Sequence, residues 1–179
     1  KDRRVRLALY QAADADAIKT TVMRGLSVPT AINVSNPVAA GIPAAMDKRY
    51  PLDPAAAKKL LAEAGYPNGF TVTLDCPNDR YINDEKICVA LAGMWAKIGV
   101  TVKVNAIPKA NYFPKVQNLD TSMYMLGWGG ATTDAIFTMK PVLHSRNDKG
   151  AGEYNWGNYK IAAFDDLIGG GLQRVGLHH

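Results

Sequence analysis

The chain has 179 residues, of which 47% are apolar and 21% charged, and it carries a net charge of +5. That is enough apolar surface to bury a core in one domain, or in one lobe of something larger, and it excludes a disordered or fibrous protein. No apolar run approaches the ~18 residues of a membrane-spanning helix. The opening Lys1-Asp2-Arg3-Arg4 lacks the apolar stretch of a secretory signal peptide, so a mature product or an excised piece is expected.

The first helix is predicted from Val5, Leu7, Ala8, Leu9, Ala12 and Ala13, set beside Arg3, Arg4 and Arg6. Asp14 or Asp16 can cap a second, running through Ile18 and Val22 and ended by Gly25. Residues 26–52 hold Pro29, Pro37, Gly41, Pro43 and Pro51 and few periodic apolar positions, which predicts a long irregular loop. Asp53-Pro54 opens the clearest helix, with Ala57, Leu60, Leu61 and Ala64 as its stripe and Gly65 as its stop.

Phe70, Val72 and Leu74 alternate with Thr71, Thr73 and Asp75, the pattern of a half-buried strand. A polar loop is expected from Cys76 to Tyr81. Asn83 or Asp84 then caps a long helix with Ile87, Leu91, Met94, Trp95 and Ile98 on one face, ended by Gly99. Val100, Val102 and Val104 alternate as a second strand. Strand, helix and strand with tight connections form a βαβ unit, so these strands should be parallel and the crossover right-handed.

Pro108 to Val116 reads as a shorter helix in which Pro114 fits only the first turn. The apolar run Ser122–Leu126 reads as a strand in the buried middle of a sheet. It leads into Gly127-Trp128-Gly129-Gly130. A helix is expected over Ala135–Leu143, a polar loop over 144–158, and a last helix over 161–168 that stops at Gly169-Gly170-Gly171. The fold class is therefore α/β, a mixed sheet with a βαβ core and flanking helices.

This succession resembles the C-terminal lobe of the family 5 extracellular solute-binding proteins, the receptors of peptide, nickel and related ABC importers. Five segments carry the resemblance in order: Val5–Asp14, Tyr50–Tyr66, Trp95–Val100, Leu126-Gly127-Trp128 and Phe164–Ile168. It covers residues 3–168, so 1–168 is read as an incomplete lobe. Residues 169–179 are read as a truncation or an appended tail, of which His178-His179 looks like an affinity-tag stump.

The resemblance implies one lobe of a two-lobed periplasmic binding protein of the type II kind. Its partners would be a peptide or other small solute, the N-terminal lobe of the same protein, and a membrane permease of an ABC importer. Closure would follow a hinge between the lobes. No cofactor is expected.

Arg80 is the first candidate contact. Ligands of open α/β sheets lie beyond the carboxyl ends of the strands, and a guanidinium there can grip a carboxylate bidentately. In dipeptide-binding members of the family, the arginine matching Arg80 anchors the ligand carboxylate. Those members also carry an Asp after the Gly-Trp motif that pairs with the ligand's ammonium. Here that position is Ala131, and Asp134 lies beyond it. An unpaired buried ammonium is costly, so a ligand with a carboxylate and no free amine fits better. Trp128 can stack on a ligand, and Gly129 with Gly130 can let backbone approach it. Asn78, Tyr81 and Trp156 complete the candidate contacts.

Cys76 and Cys88 form no CxxC pair and have no nearby histidine, so a zinc site is not supported. Two free core thiols and a disulfide both remain open readings. A strand end and the start of the next helix lie within disulfide reach, and an oxidising periplasm permits the bond.

The alternatives are a nucleic-acid or anionic-surface binding module and an α/β enzyme. Positive charge clusters only at Lys1, Arg3, Arg4 and Arg6, with no nucleic-acid-binding signature beside it, so nucleic acid is not an expected partner. No GxSxG, HExxH or SxxK motif marks an enzyme, and His144 reads as a loop residue rather than a base.

Overall fold

The alternation at 70–75 and the stripe at 87–98 do build a βαβ unit. Strand β1 spans Phe70–Pro77, helix α4 Asp84–Ala96 and strand β2 Val100–Ile107. The strands pair in parallel from Phe70↔Val100 to Pro77↔Ile107. Ahead of them lie α1 (Arg3–Gln11), α2 (Ala15–Ala17) with a π-helical turn over Ile18–Val22, and α3 (Pro54–Glu63). After them come α5 (Lys109–Gln117), β3 (Met123–Tyr124), α6 (Ile136–Thr138) with a second π-helical turn, and α7 (Ala162–Gly176). The structure is a computed structural model and describes residues 2–34, 41–129, 132 and 134–176. It divides into two units: Lys1–Pro29, Arg49–Val116 and Asp120–Leu126 in the first, and Thr30–Lys48, Gln117–Leu119 and Gly127–His179 in the second.

The first unit holds the sheet. Its core is a continuous cluster of Ala8, Ala12, Ala57, Leu61, Leu74, Cys76, Cys88, Trp95, Ile98 and Val100. Each Leu or Val buried there contributes about 1.5–3 kcal/mol. Capping follows the sequence at two helices: the Asp14 carboxylate accepts from Ala17 N at 2.8 Å, and the Asp53 carboxylate from Ala56 N at 2.8 Å. Trp95 Nε1 donates to Leu9 O at 2.8 Å, tying α4 to α1. Gly69 and Gly99 take φ of +73° and +89° and meet backbone to backbone just ahead of β1 and β2. A side chain at Gly69 would have no room there.

Several expectations change. Among the described residues the sheet is wholly parallel, in the order β2-β1-β3. The middle strand is therefore β1, and β3 pairs over Met123–Tyr124 only. Residues 123–126 are only half-buried, with Met123 and Met125 packed against the core cluster at the edge of the sheet.

Strand β1 also runs through Cys76 and Pro77, so the polar loop begins at Asn78. Pro114 sits inside α5, well past its first turn. The helix persists there because Tyr112 and Val116, on either side, are fully buried, and that packing outweighs the lost hydrogen bond. Helix α7 continues through Gly169-Gly170-Gly171 to Gly176. Glycine weakens a helix by about 1 kcal/mol per residue but does not forbid one.

The second unit is mostly turns. Asn155 donates from Nδ2 to His144 O and Tyr159 O, each at 3.0 Å, and Ser145 N donates to the Asp165 carboxylate at 2.8 Å. Ala151, Trp156, Thr138 and Ile168 are buried within it. His144 stands 2.7 Å from Ser145 O and 3.5 Å from Asp165, a structural setting within the loop.

Candidate functional site

Residues 78–83 form the loop just beyond the carboxyl ends of β1 and β2. It is pinned along its length. Asn78 N donates to Ile107 O at 3.1 Å, prolonging the β1–β2 ladder by one rung. The Asp79 carboxylate accepts from Lys109 N at 2.6 Å, joining the loop to the start of α5. Arg80 N and Tyr81 N both donate to Asp84 Oδ2 at 3.0 Å. Asn83, at φ +57°, donates from Nδ2 to Val22 O at 3.1 Å.

The expected N-cap is thus rearranged. Asn83 makes no side-chain cap bond to α4. The buried Asp84 carboxylate instead turns back to hold the loop and also accepts from Glu85 N at 3.0 Å.

This scaffold carries an exposed Arg80. Its guanidinium lies 5.0 Å from the centre of the Tyr81 ring, a cation–π contact that orients the fork without neutralising it. Among the described residues no carboxylate forms an ion pair with Arg80. Asn78 is exposed and Tyr81 half-buried beside it, so these three predicted residues do come together. Ile82 stands 77% exposed in the same loop. An apolar residue in a polar loop has no periodicity to flag it in the sequence.

Asp84 gives the loop a pH dependence. Burial pushes its carboxyl up, but the backbone N–H groups of Tyr81, Arg80 and Glu85 outweigh burial and hold it below the usual carboxylate range. A carboxyl with a lower pKa in the folded state stabilises the fold above the unfolded value of about 4, and that contribution is lost as pH falls. Asp84→Asn should therefore lower the urea midpoint near neutral pH. Its deficit should shrink as pH drops below about 4. Urea titrations of both proteins across that range check this, and a deficit that stays constant into acid would refute it.

The remaining candidates lie in the second unit. Trp128 is half-buried, donates from Nε1 to Phe137 O at 3.2 Å, and has its ring 4.9 Å from Tyr154. Tyr154 in turn lies 5.6 Å from Trp156. Trp156 is only 4% exposed, so in this structure it is a core residue that backs Tyr154. Gly129 is exposed with open space where a Cβ would be, so no backbone presses on it here. One oxygen of Asp134 accepts from Ile136 N at 2.9 Å, a local turn contact at the start of α6. Gly130 and Ala131 lie outside the described residues.

Cys76 and Cys88 are both buried, and both are free thiols in this structure. One buried group that the sequence hid is Asp75. It is 1% exposed and accepts from Asn105 Nδ2 at 2.6 Å and Thr121 Oγ1 at 2.7 Å. Strict alternation places it on the solvent face, where Thr71 and Lys103 are exposed, but Asn105, Thr121 and Lys115 close over it.

Comparison with known proteins decides the family. Residues 1–150 match the family described as bacterial extracellular solute-binding proteins, family 5 Middle. The chain belongs to that family.

Heme-binding protein A of Haemophilus influenzae is 31% identical over 175 residues, covering 92% of this chain and 30% of that protein. Glutathione-binding protein GsiB of Shigella flexneri is 30% identical over 149 residues, covering 80% and 29%. Among solved structures, the periplasmic binding protein DppA of Helicobacter pylori in complex with peptide STSA superposes with a TM-score of 0.77. It is 29% identical, with 92% of this chain and 31% of that one covered. The chain thus spans less than a third of the length of these family 5 relatives. No helix among the described residues is long and apolar enough to cross a membrane.

Proposed function

We propose that this chain is part of the ligand-binding lobe of a periplasmic, or otherwise extracytoplasmic, ABC-importer receptor. In this reading Arg80 receives a carboxylate of the imported solute. The observation that carries it is an exposed guanidinium with no carboxylate ion pair among the described residues, on a pinned loop beyond the carboxyl ends of parallel strands. A rigid anchor suits binding, because less ordering entropy is lost when the ligand arrives.

Peptides, glutathione and haem, the ligands in the relatives' names, all carry carboxylates. Those relatives are named as binding proteins, which favours this reading over a nucleic-acid module or an enzyme.

Asn78 and Tyr81 would flank the ligand beside Arg80. Ala131, at the position where peptide-binding members hold the ammonium, favours a ligand without a free amine. The N-terminal lobe and a membrane permease would be the partners.

The test is native mass spectrometry of the full-length protein, purified without denaturation, with and without Arg80→Ala. A co-purifying carboxylate compound should be retained by the parent protein and lost by the variant. Its affinity should fall by about 10²-fold, the value of a charge-assisted bidentate contact in a cleft. Equal retention by both would remove Arg80 from the site. No ligand at all, together with salt-sensitive DNA binding, would overturn the receptor reading itself.

A further inference from the structure

Cys76 and Cys88 are the only cysteines in the sequence. Cys76 lies near the end of β1 and Cys88 in the second turn of α4, and both are 0% exposed. Both belong to one buried cluster, and Met125 N donates to Asp75 O at 3.0 Å, next to Cys76. Cys88 Sγ also lies 3.6 Å from Met125 Sδ. Around the pair stand Leu74, Trp95 and Val100 of the apolar core.

Burial pushes both thiols up, so a thiolate is disfavoured there. That argues against a nucleophile or a thiolate metal site in this pocket. A disulfide carries no charge and needs no hydrogen-bond partner, so it suits the same pocket.

We infer that Cys76 and Cys88 become joined by a disulfide when the chain folds under oxidising conditions, the free thiols seen here being the reduced form. In the unfolded chain one cysteine thiolate attacks a disulfide of the oxidant and expels half of it as a thiolate. The second cysteine thiolate then displaces the other half. The pair loses two protons and two electrons, and the oxidant's disulfide becomes two thiols.

The ring so closed contains Asn78, Arg80, Tyr81 and Asp84. Both of its anchor points lie in the core, so the bond clamps the two ends of the loop that presents Arg80. This inference does not depend on which ligand Arg80 receives.

The test refolds the reduced, denatured 179-residue chain in mixed oxidised and reduced glutathione. Thiols are then blocked with iodoacetamide in denaturant, and the protein is digested and mapped by mass. The same map is made on chain secreted into an oxidising compartment, so poor refolding leaves the answer intact.

A Cys76–Cys88 linked peptide with no alkylation is the expected result. The unfolding equilibrium constant should then rise about 10²-fold on reduction, as the closure entropy of a short ring implies. The bond should resist mild reductant in native buffer and yield once urea is added. Full alkylation of both cysteines, glutathione adducts or cross-linked dimers in their place would overturn the inference. Rapid reduction in native buffer would overturn the protected placement.

Discussion

Replacing Gly69 with Ala should destabilise the first unit by more than about 4 kcal/mol, a loss reached by few single substitutions. A Cβ at Gly69 would stand 1.8 Å from Gly99 O and 2.4 Å from Gly99 C. Both atoms are backbone and cannot swing away as a side-chain tip could. Gly99 immediately precedes β2 and Gly69 precedes β1, and the first register pair is Phe70↔Val100. Any shift that relieves the clash must pry the two strands apart at their first rung.

Two controls separate contact from conformation. At Gly99 (φ +89°) the nearest atom to an added Cβ is Gly69 Cα at 3.5 Å, and at Gly65 (φ +92°) nothing lies within 4 Å. Each of those substitutions should cost only the left-handed penalty of about 1–2 kcal/mol. Urea midpoints of the three variants decide the matter. If Gly69→Ala proves no worse than Gly65→Ala, the close approach of the two backbones does not constrain the fold.

Asp75→Ala should cost about 3 kcal/mol or more. Removing this carboxylate strands Asn105 Nδ2, directly across the sheet, and takes Thr121 Oγ1 from its partner. It also deprives Lys115 Nζ, 4.0 Å away, of one of two carboxylates, Asp120 at 2.8 Å being the other. Buried polar groups left unpaired carry most of such a cost.

Asp75→Asn should be far milder, about 1 kcal/mol. Its amide oxygen can still accept from Asn105. Its NH2 can donate to the Thr121 hydroxyl, whose own hydrogen can go to Met123 O at 2.9 Å. Denaturant titrations of both variants measure the difference. Equal losses would mean that the hydrogen-bond network contributes little.

The βαβ unit was legible because both of its signals are periodic and local. Phe70, Val72 and Leu74 mark a strand by alternation, and Leu91, Trp95 and Ile98 mark one helix face. Asp14 and Asp53 were legible as caps for the same reason: a cap acts on backbone only three residues away. What was missed depends on distant partners. Asp75 looks like a solvent-side residue until Asn105 and Thr121 are brought to it. Pro114 looks forbidden until the burial of Tyr112 and Val116 is known.

The loop of Arg80 could be placed from the strand that precedes it. Its fastening could not, because Asp84 reads as an ordinary helix cap when it in fact holds the loop upstream. Trp156 shows the converse limit. A tryptophan in a polar, glycine-rich stretch reads as a cleft residue, yet it is buried behind Tyr154.

The strand order has a consequence for biosynthesis. Strand β1 is the middle strand, yet it precedes both of its neighbours in the chain. As the polypeptide emerges from a ribosome, β1 appears with both edges bare of the strands that later pair with it. Such a segment is open to pairing with another nascent chain. Helices α1 and α3, already made, share the core cluster with Leu74 and Cys76. Of the elements that follow, α4 is the first to pack on β1, and it does so without waiting for a partner strand.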